Sequence, residues 1–279
     1  MSIAFGATGI STLFGGDASD SDTERPHGEF EHGLEVQEKE ERELGEGGTV
    51  ILGHCSETPR GTIEVKLLQQ RLKGIAHQLW PAASLLCRYV DANLDSVFSA
   101  HGGIDRCRVL ELGAGVGLVG VYLSLLGCKK VILTDLPEAL EILRMNISRN
   151  NAGDTASAMP LSWGNAQETE SVLSILLDLA VVDEKDGTPP LIVAADCVYW
   201  ESLFDILVDT LCLVCHRTGA RVLMSHIRRW KKDAKFFKLC AKKGFNVDLL
   251  SETVEHEPAE HTGIPERIVS RVYLITLKK

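Results

Sequence analysis

From residue 109 onward, short apolar runs and amphipathic stretches alternate along the chain. Residues 109–112 read as a buried strand followed by a helix over 118–126. The pair recurs as 131–134 with 137–149, and as 159–163 with 171–181. Further along, 191–195 precedes a helix over 203–215, and 221–225 precedes one over 232–243. Residues 245–250 and 271–277 read as two strands with no helix between them. Strand and helix alternation with short, continuously apolar strands predicts an α/β fold, a doubly wound, mostly parallel seven-stranded sheet with helices on both faces. The last two strands predict an antiparallel C-terminal hairpin.

Ahead of this core the pattern changes. Residues 49–54 and 62–67 alternate like strands around the turn-rich 57–61, which predicts an N-terminal β-hairpin. After it, Pro81 and the spacing of residues 85–90 suit a helix, with Trp80 just before its first turn. Residues 1–48 are rich in Asp, Glu, Ser and Gly, with an acidic run at 38–43 and few large apolar side chains, so they read as a disordered acidic leader. The expected organisation is therefore this leader and one domain over 49–279, divided into hairpin and helix (49–106) and core (107–279).

The chemistry begins where the first core strand ends. Arg108-Val-Leu-Glu-Leu-Gly-Ala-Gly-Val-Gly-Leu118 runs from a strand through Glu111 into Gly113, Gly115 and Gly117, then into a helix. Glycines at such a turn let the backbone bend sharply and let a ligand lie directly against it. Read as Gly115, Gly117 and Gly120, with Asp135 at the end of the next strand for a ribose hydroxyl, the spacing fits the dinucleotide fingerprint. Glu111 argues otherwise. A carboxylate just before the turn disfavours a pyrophosphate and suits a donor bearing an amino group and a cationic sulfonium, as S-adenosyl-L-methionine does.

Charge and cysteine usage narrow the class further. With 39 acidic against 29 basic residues and a net charge of −10, the chain does not hold nucleic acid by general phosphate neutralisation. Apolar runs stop short of membrane-spanning length and the first residues lack a basic leader, so a soluble, unexported chain without membrane association is expected. Eight scattered cysteines fit the reduced thiols of a cytoplasmic or nuclear protein. Cys212-Leu-Val-Cys215-His216 matches a haem-attachment string but lies in a helical apolar run, and the histidines do not cluster at ligand spacing. No metal is expected. Arg228-Arg-Trp-Lys-Lys232 and Lys235 to Lys243 read as a solvated basic face, and Asn146-Ile-Ser148 as a glycosylation sequon trapped in a helix.

In open α/β sheets the carboxyl ends of the strands form one site. Those ends deliver Gly113, Ala114 and Gly115, then Asp135, then Trp163, which covers an adenine face or packs under the next helix, and finally Ala195-Asp196-Cys197-Val198-Tyr199. Glu111, Gly113, Gly115 and Gly117 resemble the first motif of the class I S-adenosylmethionine-dependent methyltransferases, which are Rossmann-like. Asp196 and Tyr199 as D-x-x-Y, Trp80 with Ala82 and Ala83, and Ser162-Trp163-Gly164 resemble the seven-strand protein-lysine methyltransferases of methyltransferase family 16, over about residues 74–200.

The resemblance implies donor contacts by Trp80, Gly113, Ala114, Gly115, Asp135, Trp163 and Ala195. It also implies placement of an acceptor lysine amine of a protein substrate by Asp196 and Tyr199. Pro81 departs from it where an acidic residue is common, as does a long insert at 183–187. In this scheme Asp196 captures and aligns the ammonium, which by itself raises the lysine pKa, while burial beside a sulfonium lowers it. The alternatives are a methyltransferase acting on a small-molecule or nucleobase amine, a silent cofactor-binding scaffold, and a dinucleotide oxidoreductase.

Overall fold

Parallel strands covered on both faces need apolar side chains at successive positions, and the strand before the glycine turn is buried at all five of its residues. The computed structural model describes residues 49–58, 60–177, 188–257 and 266–278; the acidic leader and the 183–187 insert lie outside these. Its elements in chain order are β1 (Thr49–Thr58), β2 (Gly61–Gln70), α1 (Pro81–Ala92), α2 (Leu94–Phe98), β3 (Arg108–Leu112), α3 (Leu118–Leu126), β4 (Lys130–Asp135) and α4 (Leu140–Arg149). There follow β5 (Ala156–Pro160), α5 (Ala166–Leu176), β6 (Leu191–Ala195), α6 (Phe204–Thr218), β7 (Arg221–Arg228), α7 (Ala234–Lys242), β8 (Phe245–Glu257) and β9 (Glu266–Leu277).

Seven strands form one sheet in the order β5-β4-β3-β6-β7-β9-β8. The first five are parallel, β9 runs antiparallel to both its neighbours, and β1 and β2 form a separate hairpin. Winding reverses between β3 and β6, so the crevice outside their carboxyl ends is the topological switch point where open sheets bind ligands. Alternation along the strands divides the core. Val109, Val131, Leu133 and Val193 pack on the side of α1, α3 and α4, while Leu110, Leu112, Ile132 and Ile192 face α5, α6 and α7. Among the described residues no helix is long and apolar enough to cross a membrane.

The hairpin, the first core strand, α3 and β6 form where the hydrophobic pattern predicts them. Boundaries differ elsewhere, most at β8 and β9, which run to Glu257 and from Glu266 where 245–250 and 271–277 were expected. β5 is Ala156–Pro160 rather than 159–163, leaving Trp163 in the turn beyond it: at a sheet edge, small and polar residues form the strand and apolar periodicity misleads. α5 starts at Ala166 rather than 171, because the Asn165 side chain accepts hydrogen bonds from the backbone N–H groups of Gln167 and Glu168, 3.1 Å each; the expected end of that helix, 178–181, lies outside the described residues. β7 continues three residues past the expected Ser225, held by pairing with β9 through Arg228–Val269.

Asn146, fully buried on α4, docks the hairpin onto the core. Its amide accepts from Leu68 N–H at 2.7 Å and donates to Leu68 C=O at 3.0 Å and to Val116 C=O at 2.8 Å, so one side chain pairs with β2 as a strand would and also holds the loop after β3. Asn150, one turn on, pairs likewise with both backbone groups of Lys66. The sequon is thus consumed in structure. Asn146→Ala strands three buried backbone groups and is expected to lower unfolding free energy by about 3 kcal/mol in urea denaturation; a loss below about 0.5 kcal/mol would show that the amide does not carry the hairpin.

Candidate active site

The backbone between β3 and α3 turns through three left-handed glycines, Gly113 (φ 62°), Gly115 (φ 55°) and Gly117 (φ 85°). They have different surroundings. A Cβ on Gly117 would stand 2.8 Å from Leu143 and 3.0 Å from Leu133, and one on Gly120 2.4 Å from Leu133, so both glycines let α3 close onto β4 and α4. At Gly115 a Cβ would meet only the carbonyl oxygens of Ala76 and Gln78, at 3.5 and 3.8 Å, which come from the segment lying over the loop. At Gly113 it would meet Cys197 Sγ at 2.9 Å and the Trp163 indole at 3.1 Å. Gly117, which the glycine motif groups with the donor-binding bend, packs inward instead, and the bend open to the crevice is Gly113 to Gly115.

Two acidic side chains hold this bend. Asp135, the last residue of β4, accepts from Gly115 N–H at 2.7 Å through Oδ2 and from Leu136 N–H at 2.7 Å through Oδ1. Each oxygen keeps a second lone-pair site, which a pair of ribose hydroxyls can use. Burial raises its pKa, and the two N–H groups oppose that rise.

Glu111 is placed differently from the expectation. It follows the strand alternation to the α3 side, is 2% exposed, and accepts from Gly120 N–H at 2.9 Å, satisfying one of the unpaired donors in the first turn of a helix whose N-cap, Gly117, has no side chain to do so. Burial lifts its pKa to about 8, with the Asp135 charge adding to the rise and the Gly120 N–H opposing it. Glu111 therefore shapes the loop from beneath, largely uncharged at neutral pH, and does not present a negative charge at the rim.

The opposite wall is the turn after β6. Ala195 ends that strand, and Asp196 adopts φ 62°, left-handed for a residue with a Cβ, held by its N–H to Ser225 C=O at 3.0 Å. Cys197 fastens this turn to the glycine loop, its thiol donating to Leu112 C=O at 3.2 Å. Tyr199 lies alongside at 5.2 Å from the Trp200 ring; burial, with the nearby Cys197, Asp135 and Asp196 groups, pushes its phenol up to about 12. Trp80 forms the rim above as the N-cap of α1, its indole N–H donating to Ile75 C=O at 3.0 Å. Trp163 is half-buried, with its edge on Gly113 and its body against the α5–α6 core.

One participant was missed. Arg229, read from sequence as part of a solvated basic face, pairs in bidentate fashion with Asp196 at 2.7 and 2.5 Å, and its guanidinium lies 5.5 Å over the Trp80 ring. Asp233, 2% exposed, holds its loop by accepting from the N–H groups of Arg229 and Trp230 at 3.0 Å each, with His226 Nε2 at 3.3 Å. The signal was available: extending the alternation of β7 through His226, Ile227 and Arg228 puts Arg229 at a strand carboxyl end.

A cavity of about 630 Å³ lies elsewhere, lined by Leu68, Arg144, Met145, Ser148 and Arg149, and shares no residue with this crevice. The bend at Gly113–Gly115 with Asp135 beside it fits an adenosyl donor, because a bare backbone and a carboxylate with spare lone pairs face the same crevice.

Comparison with known proteins agrees with this geometry. Residues 60–243 match the family profile described as lysine methyltransferase. The chain is 33% identical over 178 residues to the mouse (Mus musculus) EEF1A lysine methyltransferase 3, covering 63% of this chain and 66% of that one. It is 32% identical over 180 residues to protein N-lysine methyltransferase METTL21A of Xenopus tropicalis, covering 63% and 72%, and 32% identical over 206 residues to protein-lysine N-methyltransferase EFM6 of Saccharomyces cerevisiae, covering 68% and 80%. With a seven-stranded sheet, a glycine bend at its switch point and a profile match over most of the described core, the chain belongs to the lysine methyltransferase family and is an enzyme of protein-lysine methylation.

Proposed function

We propose that the crevice between the Gly113–Gly115 bend and the Asp196–Tyr199 turn holds S-adenosyl-L-methionine and brings a substrate lysine to it from the Asp196 side. The observation that carries this reading is the seating of Cys197 on Gly113, which fixes the acceptor turn directly against the donor loop. Asp135 would take the ribose, and Gly113, Ala114 and Gly115, with Trp80, Trp163 and Ala195, would hold the rest of the donor. When bound, the donor supplies a methyl group on a cationic sulfur. A lysine nitrogen presented with a free lone pair would accept that methyl, the sulfur keeping the electron pair of the broken bond as a neutral thioether and the positive charge passing to nitrogen.

Such an in-line displacement asks the protein for alignment and exclusion of water rather than covalent help. Asp196 accepts from an amine N–H to set the approach line. Tyr199, neutral across the working pH range, offers a hydroxyl at the channel wall. A protein carries the acceptor lysine, and EEF1A, for which the mouse relative is named, is the first protein to test. Work in the cytoplasm, with access to the nucleus, accords with the reduced cysteines among the described residues.

Asp135→Ala is expected to weaken donor binding by about ten-fold or more in calorimetry, since it removes the ribose acceptor and the Gly115 clamp together. Tyr199→Phe is expected to leave donor affinity within about two-fold while lowering single-turnover methylation by about ten-fold. Unchanged donor affinity in Asp135→Ala would refute the placement of the donor.

The support role of Glu111 has a pH signature. A buried acid whose pKa rises from 4.5 to about 8 on folding binds more protons in the native state, so its contribution to stability is fully present below about 4.5 and is lost as pH rises towards 8. Glu111→Gln retains an acceptor for Gly120 N–H without the ionisation. Thermal denaturation from pH 5 to 9 is expected to show a flatter decline for the variant than for the parent chain; parallel curves would mean that Glu111 is charged in the native state at neutral pH.

A further inference from the structure

Arg229 changes the electrostatics of the acceptor side. An unpaired Asp196 carboxylate would hold an arriving lysine as ammonium, because a nearby opposite charge favours the charged form and a nitrogen without a lone pair cannot attack. The carboxylate is not unpaired. Both oxygens are engaged by the Arg229 guanidinium at 2.7 and 2.5 Å, with the Asp196 side chain 3% exposed and that of Arg229 19% exposed. Bidentate pairing uses one lone-pair site on each oxygen and leaves another on each, so Asp196 still accepts a hydrogen bond while the pair as a unit carries no net charge.

The fold spends several contacts on keeping Arg229 there: its backbone N–H is tied to Asp233, and its guanidinium lies over Trp80, on the rim of the donor crevice. Other groups face the pair from the elements around it. Asp233 lies at the start of α7 beside His226 of β7, and Asp135 at the end of β4 beside His77. Glu111 lies beneath the loop, and Cys197 and Tyr199 share the Asp196 turn. Burial keeps the Cys197 thiol and the Tyr199 phenol neutral through the physiological range.

We propose that Arg229 is the positioning residue that sets the protonation state of the acceptor: by neutralising Asp196 it lets the substrate lysine be aligned as a free amine instead of being trapped as an ammonium. This rests on the reading that the acceptor meets Asp196. The guanidinium thereby separates two effects of a carboxylate, retaining its hydrogen bond and cancelling its charge.

The test is the pH dependence of single-turnover methylation of a lysine peptide, together with the pKa of that lysine measured by NMR on an ε-carbon-labelled peptide bound with S-adenosylhomocysteine. Arg229→Gln removes the charge and keeps a hydrogen-bond donor. Its acid limb, and the bound lysine pKa, are expected to move up by about one unit, giving about ten-fold slower transfer at pH 7 that recovers at high pH. Arg229→Lys, the charge-retaining variant, should keep the limb in place at a lower plateau, and the double variant Asp196→Asn with Arg229→Gln should return the limb towards that of the parent chain. Melting curves and S-adenosylhomocysteine calorimetry confirm a folded, donor-competent protein. A uniform loss at every pH in Arg229→Gln with no change in the bound lysine pKa, or no loss at all, would overturn the proposal. Failure of the acceptor reading looks different: Asp196→Asn would then leave both rate and limb as in the parent chain.

Discussion

The backbone N–H groups of the bend after β3 are held by carboxylates on two sides, and the rest of the crevice takes its position from that arrangement. Gly115 N–H goes to Asp135 on the neighbouring strand, and Gly120 N–H goes to Glu111 from below. Left-handed glycines let the chain pass from strand to helix between Leu112 and Leu118 without a side chain entering the crevice. Cys197 and Trp163 then sit on Gly113, while Ala76 and Gln78 lie over Gly115. A shift of this bend would displace each of them, since even one methyl group added at Gly113 or Gly115 would stand at or inside ordinary packing distance of these neighbours. Burial raises the pKa of both carboxylates, so the loop is held by groups whose ionisation the fold itself disfavours.

The acceptor side is built on a second constraint, a non-glycine residue in a left-handed conformation. Asp196 at φ 62° is held by its own N–H to β7 and by the guanidinium of Arg229. Strained backbone persists where surrounding structure over-determines it, and such positions gather at functional sites. Here the carboxylate of that residue meets the guanidinium of Arg229, just after β7. Donor loop and acceptor turn are thus joined by sulfur and indole packing, and the acceptor turn is tied to the residue after β7 by an ion pair that lies over the Trp80 indole.

Much of this was legible in the residues. The short apolar run of β3, the glycines after it and the recurrence of strand and helix specify a doubly wound sheet and point to the ends of its strands, because these are local patterns set by backbone geometry and by which faces must be buried. Asp135 follows from its place at a strand carboxyl end, whereas the roles of Asp196 and Tyr199 came only with the family resemblance. Glu111 was recognised as significant but given the wrong direction: period-two alternation sends it beneath the loop, and burial rather than a ligand then decides its charge. Edge strand β5 slipped for the converse reason, since few neighbours demand apolar residues there.

The order of the elements and the location of the crevice were therefore determined by the sequence itself, through periodicity and turn chemistry that act over a few residues. Which charge meets which was decided only by the tertiary structure. Arg229 and Asp196 are 33 residues apart along the chain, and nothing local separates an arginine on a solvated face from one that neutralises a buried carboxylate. That distinction arises when β6 and β7 pair side by side, because Coulomb energy depends on distance and burial in space and not on separation along the chain.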